Sequence, residues 1–339
     1  PPAEPPVSAP PARPPAPAQR APLFSNTPLP FGVLTLADAD LGLTIGALRA
    51  RGTAYRDIRA RLVLADGKLT LDPLAAGAQG GHLDARLTAD ARAESPPVAL
   101  VLRGTGIDLT PLLAVLGAPE AARGAVDLDL DLHGTGQTAH ALALSADGHL
   151  GAAMVDGAID NRVITAALGT VLAQAHLPNL ASRPGTTAVR CLAVRLDAHG
   201  GTANLRTFLL DTPLFAIEGG GTLDLAQETL ALRLRPLARL GGTGVIVPLR
   251  LAGPFQSPKV EVDASGRAGG GAGTTAQEPA SIIIGALTDD RRVAGTGGEG
   301  CPAALAEARG GIAGRTPAAS PQEAPKPPKP ADLLRQFLR

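Results

Sequence analysis

The chain has 339 residues, 31 basic and 31 acidic side chains, a formal net charge of zero, and only 2% aromatic residues. This length is enough for one or two domains with a buried core. The balanced charge argues against nucleic-acid binding, which needs a basic field. The scarcity of aromatic residues argues against base-stacking platforms and sugar-binding clefts.

The first 30 residues contain 12 of the 32 prolines, in closely spaced steps. Proline restricts the backbone and lacks an amide donor, so residues 1–30 are predicted to be an extended linker. No run approaches the roughly 20 apolar residues that a membrane span needs, and no signal peptide is recognisable. Any membrane anchor is therefore expected upstream of Pro1.

Residues 31–263 consist largely of short runs in which aliphatic and polar residues alternate, as in Val126 to Leu132. Period-two alternation places all the aliphatic side chains on one face of a strand. The sequence therefore predicts a mainly β domain, a long, curved antiparallel sheet of repeated hairpins, groove- or taco-like, with one apolar face. Turns are predicted at Asp66-Gly67, Gly80-Gly81, Asp147-Gly148, Asp156-Gly157, Gly200-Gly201 and Gly219-Gly220-Gly221.

Two helices are predicted to interrupt the strands. In residues 110–117, Thr110 is a candidate N-cap and Gly117 fits the position after the C-cap. In residues 160–176, Asp160 is a candidate cap, and apolar residues follow at helical spacing.

The composition changes after Asp263. Residues 264–330 are predicted to be a Gly/Pro-rich tail with short helical segments at Ser281–Leu287 and Pro302–Arg309. Residues 331–339 are predicted to form a terminal helix, and both ends of the chain are expected to be disordered.

The sequence offers no motif for catalysis, cofactor binding or metal binding. It has no P-loop, GxSxG, CxxC or HExxH motif. The GxGxxG spelling at 295–300 lacks a preceding strand and lies in a glycine-rich tail. Asp127, Asp129 and Asp131 alternate with leucines, so they are interpreted as the solvated side of a strand. We therefore expect no enzyme activity, no cofactor and no metal site.

The only two cysteines are Cys191, at the start of a strand pattern, and Cys301, before a predicted helix. One interpretation is that they are two unrelated small buried residues. The other is a disulfide that ties the glycine-rich tail to the sheet.

Several segments resemble the AsmA family, chiefly its C-terminal region. The segment Val189 to Thr202 does so, and Glu218 to Leu225 and Glu228 to Pro236 resemble the patterns G-x-G-x-[IL]-D-L and E-x-L-x-L-x-L-x-P. Further similar segments are Arg103–Leu109, Leu210–Pro213, Leu249–Pro258, Pro279–Ile282 and Cys301–Leu305. The resemblance extends over roughly residues 30–310. The membrane-spanning helix and the amino-terminal β region with which family members normally begin are expected to lie outside this sequence.

This resemblance implies a protein of the Gram-negative cell envelope, anchored in the inner membrane with its bulk in the periplasm, that supports outer-membrane biogenesis. TamB-like and bridge-like lipid-transfer relatives carry phospholipid chains in β-grooves. The expected partners are therefore acyl chains of phospholipids or lipopolysaccharide precursors, with envelope proteins as further partners.

Twelve leucines are the candidate lining of such a groove: Leu62, Leu64, Leu83, Leu87, Leu128, Leu130, Leu205, Leu223, Leu225, Leu230, Leu232 and Leu249. The competing interpretation is a closed core, in which the same leucines pack against the helices or a second sheet. In functional terms, the alternative is a structural protein without lipid cargo that influences outer-membrane protein assembly or targeting through open sheet edges.

Overall fold

The computed structural model describes residues 22–50, 53–78, 80–115, 120–165, 185–240, 243–246, 248–263 and 300–317. Within them, fifteen strands form one sheet, and all their pairings are antiparallel. The predicted mainly β fold with a long antiparallel sheet is confirmed. The strands are β1 (Ala39–Ala50), β2 (Thr53–Ala65), β3 (Lys68–Ala78), β4 (Gly81–Asp90), β5 (Pro97–Asp108), β6 (Ala122–Arg123), β7 (Ala125–Thr135), β8 (Asp147–Asp160), β9 (Thr186–His199), β10 (Thr202–Asp211), β11 (Phe215–Asp224), β12 (Thr229–Leu240), β13 (Thr243–Ile246), β14 (Leu249–Pro254) and β15 (Lys259–Val262).

Thirteen of the strands lie side by side in chain order, from β1 at one edge to β15 at the other. The two remaining strands are short: β6 pairs with β8, and β13 pairs with β12. Neighbouring strands in space are thus neighbours in sequence, which is the arrangement of a β-meander. Because these thirteen strands pair in chain order, the apolar residues that alternate along each strand can align into one continuous face of the sheet.

The strands run between two ends of the sheet, which we call the turn end and the helix end. The turn end holds the connections at residues 66–67, 200–201 and 225–228, together with α2 (Ala139–Leu144). The helix end holds α1 (Leu109–Val115) and a helical turn at residues 161–165.

The first predicted helix is present as α1, and the first turn of the second is helical. The predicted N-cap Thr110 lies inside α1, and the carboxylate of Asp108 accepts a hydrogen bond from the Thr110 amide at 2.9 Å. Residues 161–165 are helical after Asp160, whose carboxylate accepts from the Arg162 amide at 2.8 Å. Residues 166–176 of that prediction lie outside the described residues.

The sequence pattern alone does not predict α2, which interrupts the region interpreted as strands. Its N-cap is Thr138, whose side chain accepts a hydrogen bond from the Ala141 amide at 3.0 Å. The helix has only six residues. That is too short for helical periodicity to stand out against the alternating strands around it.

Three predicted turns are wrong because their glycines lie inside strands. Asp147-Gly148 and Asp156-Gly157 belong to β8, and Gly219-Gly220-Gly221 belongs to β11. A Cβ at Gly219 would lie 2.9 Å from the Arg233 carbonyl oxygen of the neighbouring strand. Glycine here permits close approach between strands, which is its other common use in a sheet. The turns at Asp66-Gly67, Gly80 and Gly200-Gly201 are confirmed.

Helix α3 (Cys301–Ala308) occupies most of the segment predicted to be helical at Pro302–Arg309. The predicted helices at Ser281–Leu287 and residues 331–339 lie outside the described residues, as do residues 1–21 of the linker and most of the 264–330 tail.

Residues 22–38, which we call the strap, cross the turn end of the sheet before β1 begins. The Leu29 amide donates to the Gln137 carbonyl at 2.7 Å, next to α2. A 3-10 helix follows at Phe31–Thr35, and the Asp38 carboxylate then accepts from the Asp66 amide at 2.9 Å. The strap therefore contacts the connections of strands that lie far apart in the sheet, although residues 22–30 fall within the predicted linker.

Candidate functional site

One face of the sheet is lined by a continuous row of apolar residues that crosses all thirteen strands. Directly opposed residues of antiparallel strands share a face, so the pairing register defines the row. Its members, from β1 to β15, are Leu43, Ala60, Leu74, Ala85, Leu102, Leu130, Leu150, Leu196, Leu205, Gly221, Leu232, Leu251 and Val260. At about 4.8 Å between strands, twelve steps make the row about 58 Å long. We call this side the apolar face and the other side the polar face.

Eleven of the twelve candidate leucines lie on the apolar face. They occupy β2, β4, β7, β10, β11, β12 and β14, and the register places all of them on that side. Leu225 is the exception, because β11 ends at Asp224 and Leu225 lies in the turn that follows. The structure therefore brings the candidate leucines onto a single surface, apart from Leu225.

The candidate leucines differ in exposure. Leu205 and Leu249 are buried, and the other nine strand leucines are half-buried. At the β1 edge the aliphatic side chains are open to solvent, with Leu41 62% and Leu43 51% exposed. An aliphatic face that stays half-exposed over most of the described strands still has contact area to offer another apolar molecule.

Sequence reasoning missed six of the nine leucines of the central row. They are Leu43, Leu74, Leu102, Leu150, Leu196 and Leu251. The signal was available, because each lies two residues from another aliphatic residue in its strand. Only the pairing register shows which alternating residues of different strands align.

The polar face has the opposite chemistry. Asp129 is 6% exposed and faces three cationic or titratable groups: Arg195 Nη1 at 2.9 Å, His149 Nε2 at 3.1 Å and Arg103 Nε at 3.9 Å. Pairing compensates the desolvation of a buried carboxylate. The aspartates of β7 thus lie on the polar side of the strand, as the alternation predicts, but the expectation that this side is solvated is wrong for Asp129, which is buried.

Helix α3 packs on the polar face over β8, β9 and β10. Its residues Cys301, Leu305 and Ala308 are 1%, 0% and 0% exposed. They form a small core with aliphatic residues that point away from the apolar face: Ala153, Val155, Ala193 and Leu209. Helix α3 therefore covers the middle of the sheet on its polar face and does not cover the apolar face.

Two further interactions fasten α3. Cys191 of β9 and Cys301 form a disulfide with their Cα atoms 6.4 Å apart. Just after the helix, the guanidinium of Arg309 donates to the Asp127 carboxylate at 2.7 Å. The disulfide joins a residue of the sheet to the end of the glycine-rich tail.

A second core closes the helix end of the apolar face. Met154, Leu210, Phe215 and Ile217 are buried there. Leu109 of α1 and Ile164 of the helical turn are among the partly buried residues packed against them. In the described residues, helical cover on the apolar face is thus concentrated at one end of the strands.

The strap borders the opposite, turn end. The Glu228 carboxylate accepts hydrogen bonds from the backbone amides of Phe24 at 2.7 Å and Leu23 at 2.8 Å. These two bonds, with a smaller contribution from His140, hold the pKa of Glu228 below its usual value. The start of the strap is therefore fixed to the turn between β11 and β12 by a charged group.

Two features are absent from the part of the chain that the structure describes: a cluster of metal-ligand side chains and a helix able to span a membrane. Among the residues of this part, no three His, Cys, Asp or Glu side chains are grouped as a metal site. Their helices are all too short or too polar to cross a membrane.

Comparison with known proteins identifies the family. The AsmA family model matches residues 15–208, which is more than half of the chain. The chain belongs to the AsmA family. AsmA family protein YhjG from Escherichia coli (strain K12) is 25% identical over 214 residues, covering 61% of this chain and 30% of that protein. No solved structure matches.

The chain thus spans about 30% of the length of this curated relative. The family match contains β1 to β9 and most of β10. Most of the segments whose sequence resembles the family begin at Leu210 or later, so they lie after the residues that the family model matches. Membership is consistent with a general role in outer-membrane assembly or lipid transport at the cell envelope.

Proposed function

We propose that this chain is a non-enzymatic, periplasmic AsmA-like module that supports outer-membrane biogenesis by guiding lipid acyl chains along its apolar face. The cargo is a phospholipid or a lipopolysaccharide precursor. A segment outside this sequence anchors the protein to the inner membrane. The observation that carries the proposal is the uninterrupted apolar row across thirteen strands.

The chemistry of the face suits an acyl chain. In the rows that contain the candidate leucines, the strand positions from β2 to β15 are aliphatic, glycine or phenylalanine, without a charged side chain. Each buried methylene contributes about 0.8 kcal/mol, so about ten of them contribute about 8 kcal/mol without any specific contact. A smooth aliphatic surface also lets a chain slide, because no site is much stronger than its neighbour.

The two ends of the apolar face indicate the direction in which an acyl chain would lie on it. The helix end is closed by α1 and the turn at 161–165, and the strap borders the turn end. An acyl chain would then lie across the strands, along the direction from β1 to β15. Its polar headgroup would remain in water, since the apolar rows offer it no charged partner.

Photo-crosslinking in cells tests the proposal. A photoreactive amino acid is placed at Leu128 or Leu230 on the apolar face, and at Asp131 or Ala231 on the polar face as matched controls. We expect lipid adducts from the first pair and none from the second. Protein adducts alone from the apolar face, or equal lipid adducts from both faces, would contradict the proposal.

A further inference from the structure

The two edge strands of the sheet differ in how well they are protected. β15 has four residues, Lys259 to Val262, and carries Lys259 and Glu261. β1 has twelve residues, Ala39–Ala50, with no lysine or proline, and it pairs with β2 without a register shift. Natural edge strands are usually short, charged, bulged or interrupted by proline, because a bare edge invites pairing. β1 carries Asp40 and Arg49 near its two ends, but its central residues, 41 to 48, contain no charge, bulge or proline.

The same strand exposes large aliphatic side chains. Leu41 is 62% exposed, Leu43 is 51% exposed and Leu48 is 42% exposed. Leu41 and Leu43 begin rows of the apolar face, opposite Leu62 and Ala60 of β2. No strand of the described residues pairs with the outer edge of β1, so an added strand would satisfy its backbone groups and cover these side chains in one step.

We propose that β1 pairs antiparallel with β1 of a second copy of this chain. Its sequence is self-complementary: with Leu43 on the two-fold axis, Leu41 lies opposite Ile45 of the second copy. An axis perpendicular to the sheet keeps the apolar residues of both copies on the same side. The apolar row then continues from one copy into the other.

Two other segments of this chain are poorer partners for β1. β15 offers only four residues and two charges. Residues 1–21 contain nine prolines, which cannot donate ladder hydrogen bonds. The proposal does not depend on the lipid cargo, because pairing at β1 would build an extended sheet in either case.

Cysteine crosslinking tests the register. Both native cysteines are joined in the disulfide, so an added cysteine is the reactive thiol. Under mild oxidation we expect Leu43→Cys to form a covalent dimer, because directly opposed residues of antiparallel strands have Cβ atoms about 4.5–5.5 Å apart. Leu62→Cys, on the same face but one strand inward, is the control and stays monomeric on a denaturing gel. A crosslink in neither variant, or equal crosslinks in both, overturns the proposal.

Sedimentation of the full chain from micromolar to submillimolar concentration gives an independent measure. The wild type is expected to form a dimer, and Leu43→Lys to weaken it by about tenfold or more, as lysine does at edge strands. Leu36→Lys changes a residue that is 78% exposed on the strap and leaves the dimer unchanged. A monomeric wild type, or a dimer that survives Leu43→Lys unaltered, refutes pairing at β1, even if a strand of another protein binds there.

Discussion

Removing the disulfide should destabilise the protein by several kcal/mol. Cys191 and Cys301 are separated by 110 residues, and both lie in the core beneath α3. In the chain-entropy model, closing a loop of this length removes about 16 cal/mol/K from the unfolded chain. At 25 °C this is about 4.8 kcal/mol, which we take as the upper limit of the effect.

Urea denaturation followed by far-ultraviolet circular dichroism measures this effect. With an m value of about 3 kcal/mol per molar, a loss of about 4.8 kcal/mol lowers the midpoint by about 1.6 M. We expect a shift of up to this size when the wild type is reduced, and the same shift in the Cys191→Ala/Cys301→Ala double variant. The double variant should not respond further to reductant, which separates the disulfide from other effects of the reagent.

Two results would refute this reasoning. One is alkylation of both cysteines in the unreduced native protein. The other is an unchanged urea midpoint after complete reduction, which would mean that packing of α3 alone holds the tail on the polar face. If reduction accelerated hydrogen exchange only in α3 and left the urea midpoint unchanged, the disulfide would prevent local release of the helix and not global unfolding.

Three further predictions concern the strap and α3. Because hydrogen bonds hold the folded-state pKa of Glu228 below its usual value, they stabilise the strap above the unfolded-state pKa, and this stabilisation is lost as pH falls through the folded-state pKa. Hydrogen exchange of residues 22–38 should therefore accelerate on acidification in the wild type, and in Glu228→Ala it should already be fast at neutral pH; equal exchange in both proteins would argue against this role. Leu305→Ala removes a fully buried side chain and should cost about 2–5 kcal/mol in urea unfolding, whereas Leu36→Ala at a 78% exposed position should cost less than about 0.5 kcal/mol. Gly151→Ala would place a Cβ against a backbone carbonyl of α3 and should speed reduction of the disulfide, whereas Gly42→Ala, with no atom within 4 Å, should leave the reduction rate unchanged.

The sheet and its apolar face could be predicted because they depend on local alternation. Period two is imposed by the strand backbone, so Leu128 and Leu130 had to share a side before any pairing was known. Chain-order pairing then makes a sequence of strands into a sheet with one continuous apolar face.

The remaining features depend on distant contacts, which the local pattern does not encode. The strap is held by Glu228, about two hundred residues away in sequence, and prolines at its start gave it the composition of a linker. The three glycines of β11 predict a turn from the sequence. In the structure they lie inside the strand, where the lack of a side chain lets β12 approach closely. Leu225 lies outside the apolar face for a simpler reason. Strand β11 ends one residue before it, at Asp224, and strand ends are the least predictable part of a strand.

The distribution of cover over the sheet bears on whether the leucines form a groove or a closed core. A closed core requires a layer over the whole apolar face, as helices or a second sheet provide in most β domains. Among the described residues, α3 packs on the opposite, polar face. The helices that cover part of the apolar face pack near Leu210 and Ile217, at the helix end. The central leucines of β4, β7 and β12 stay half-buried. Aliphatic surface of this extent is unfavourable in water, and an acyl chain, the occupant that we propose, matches the chemistry of the described surface.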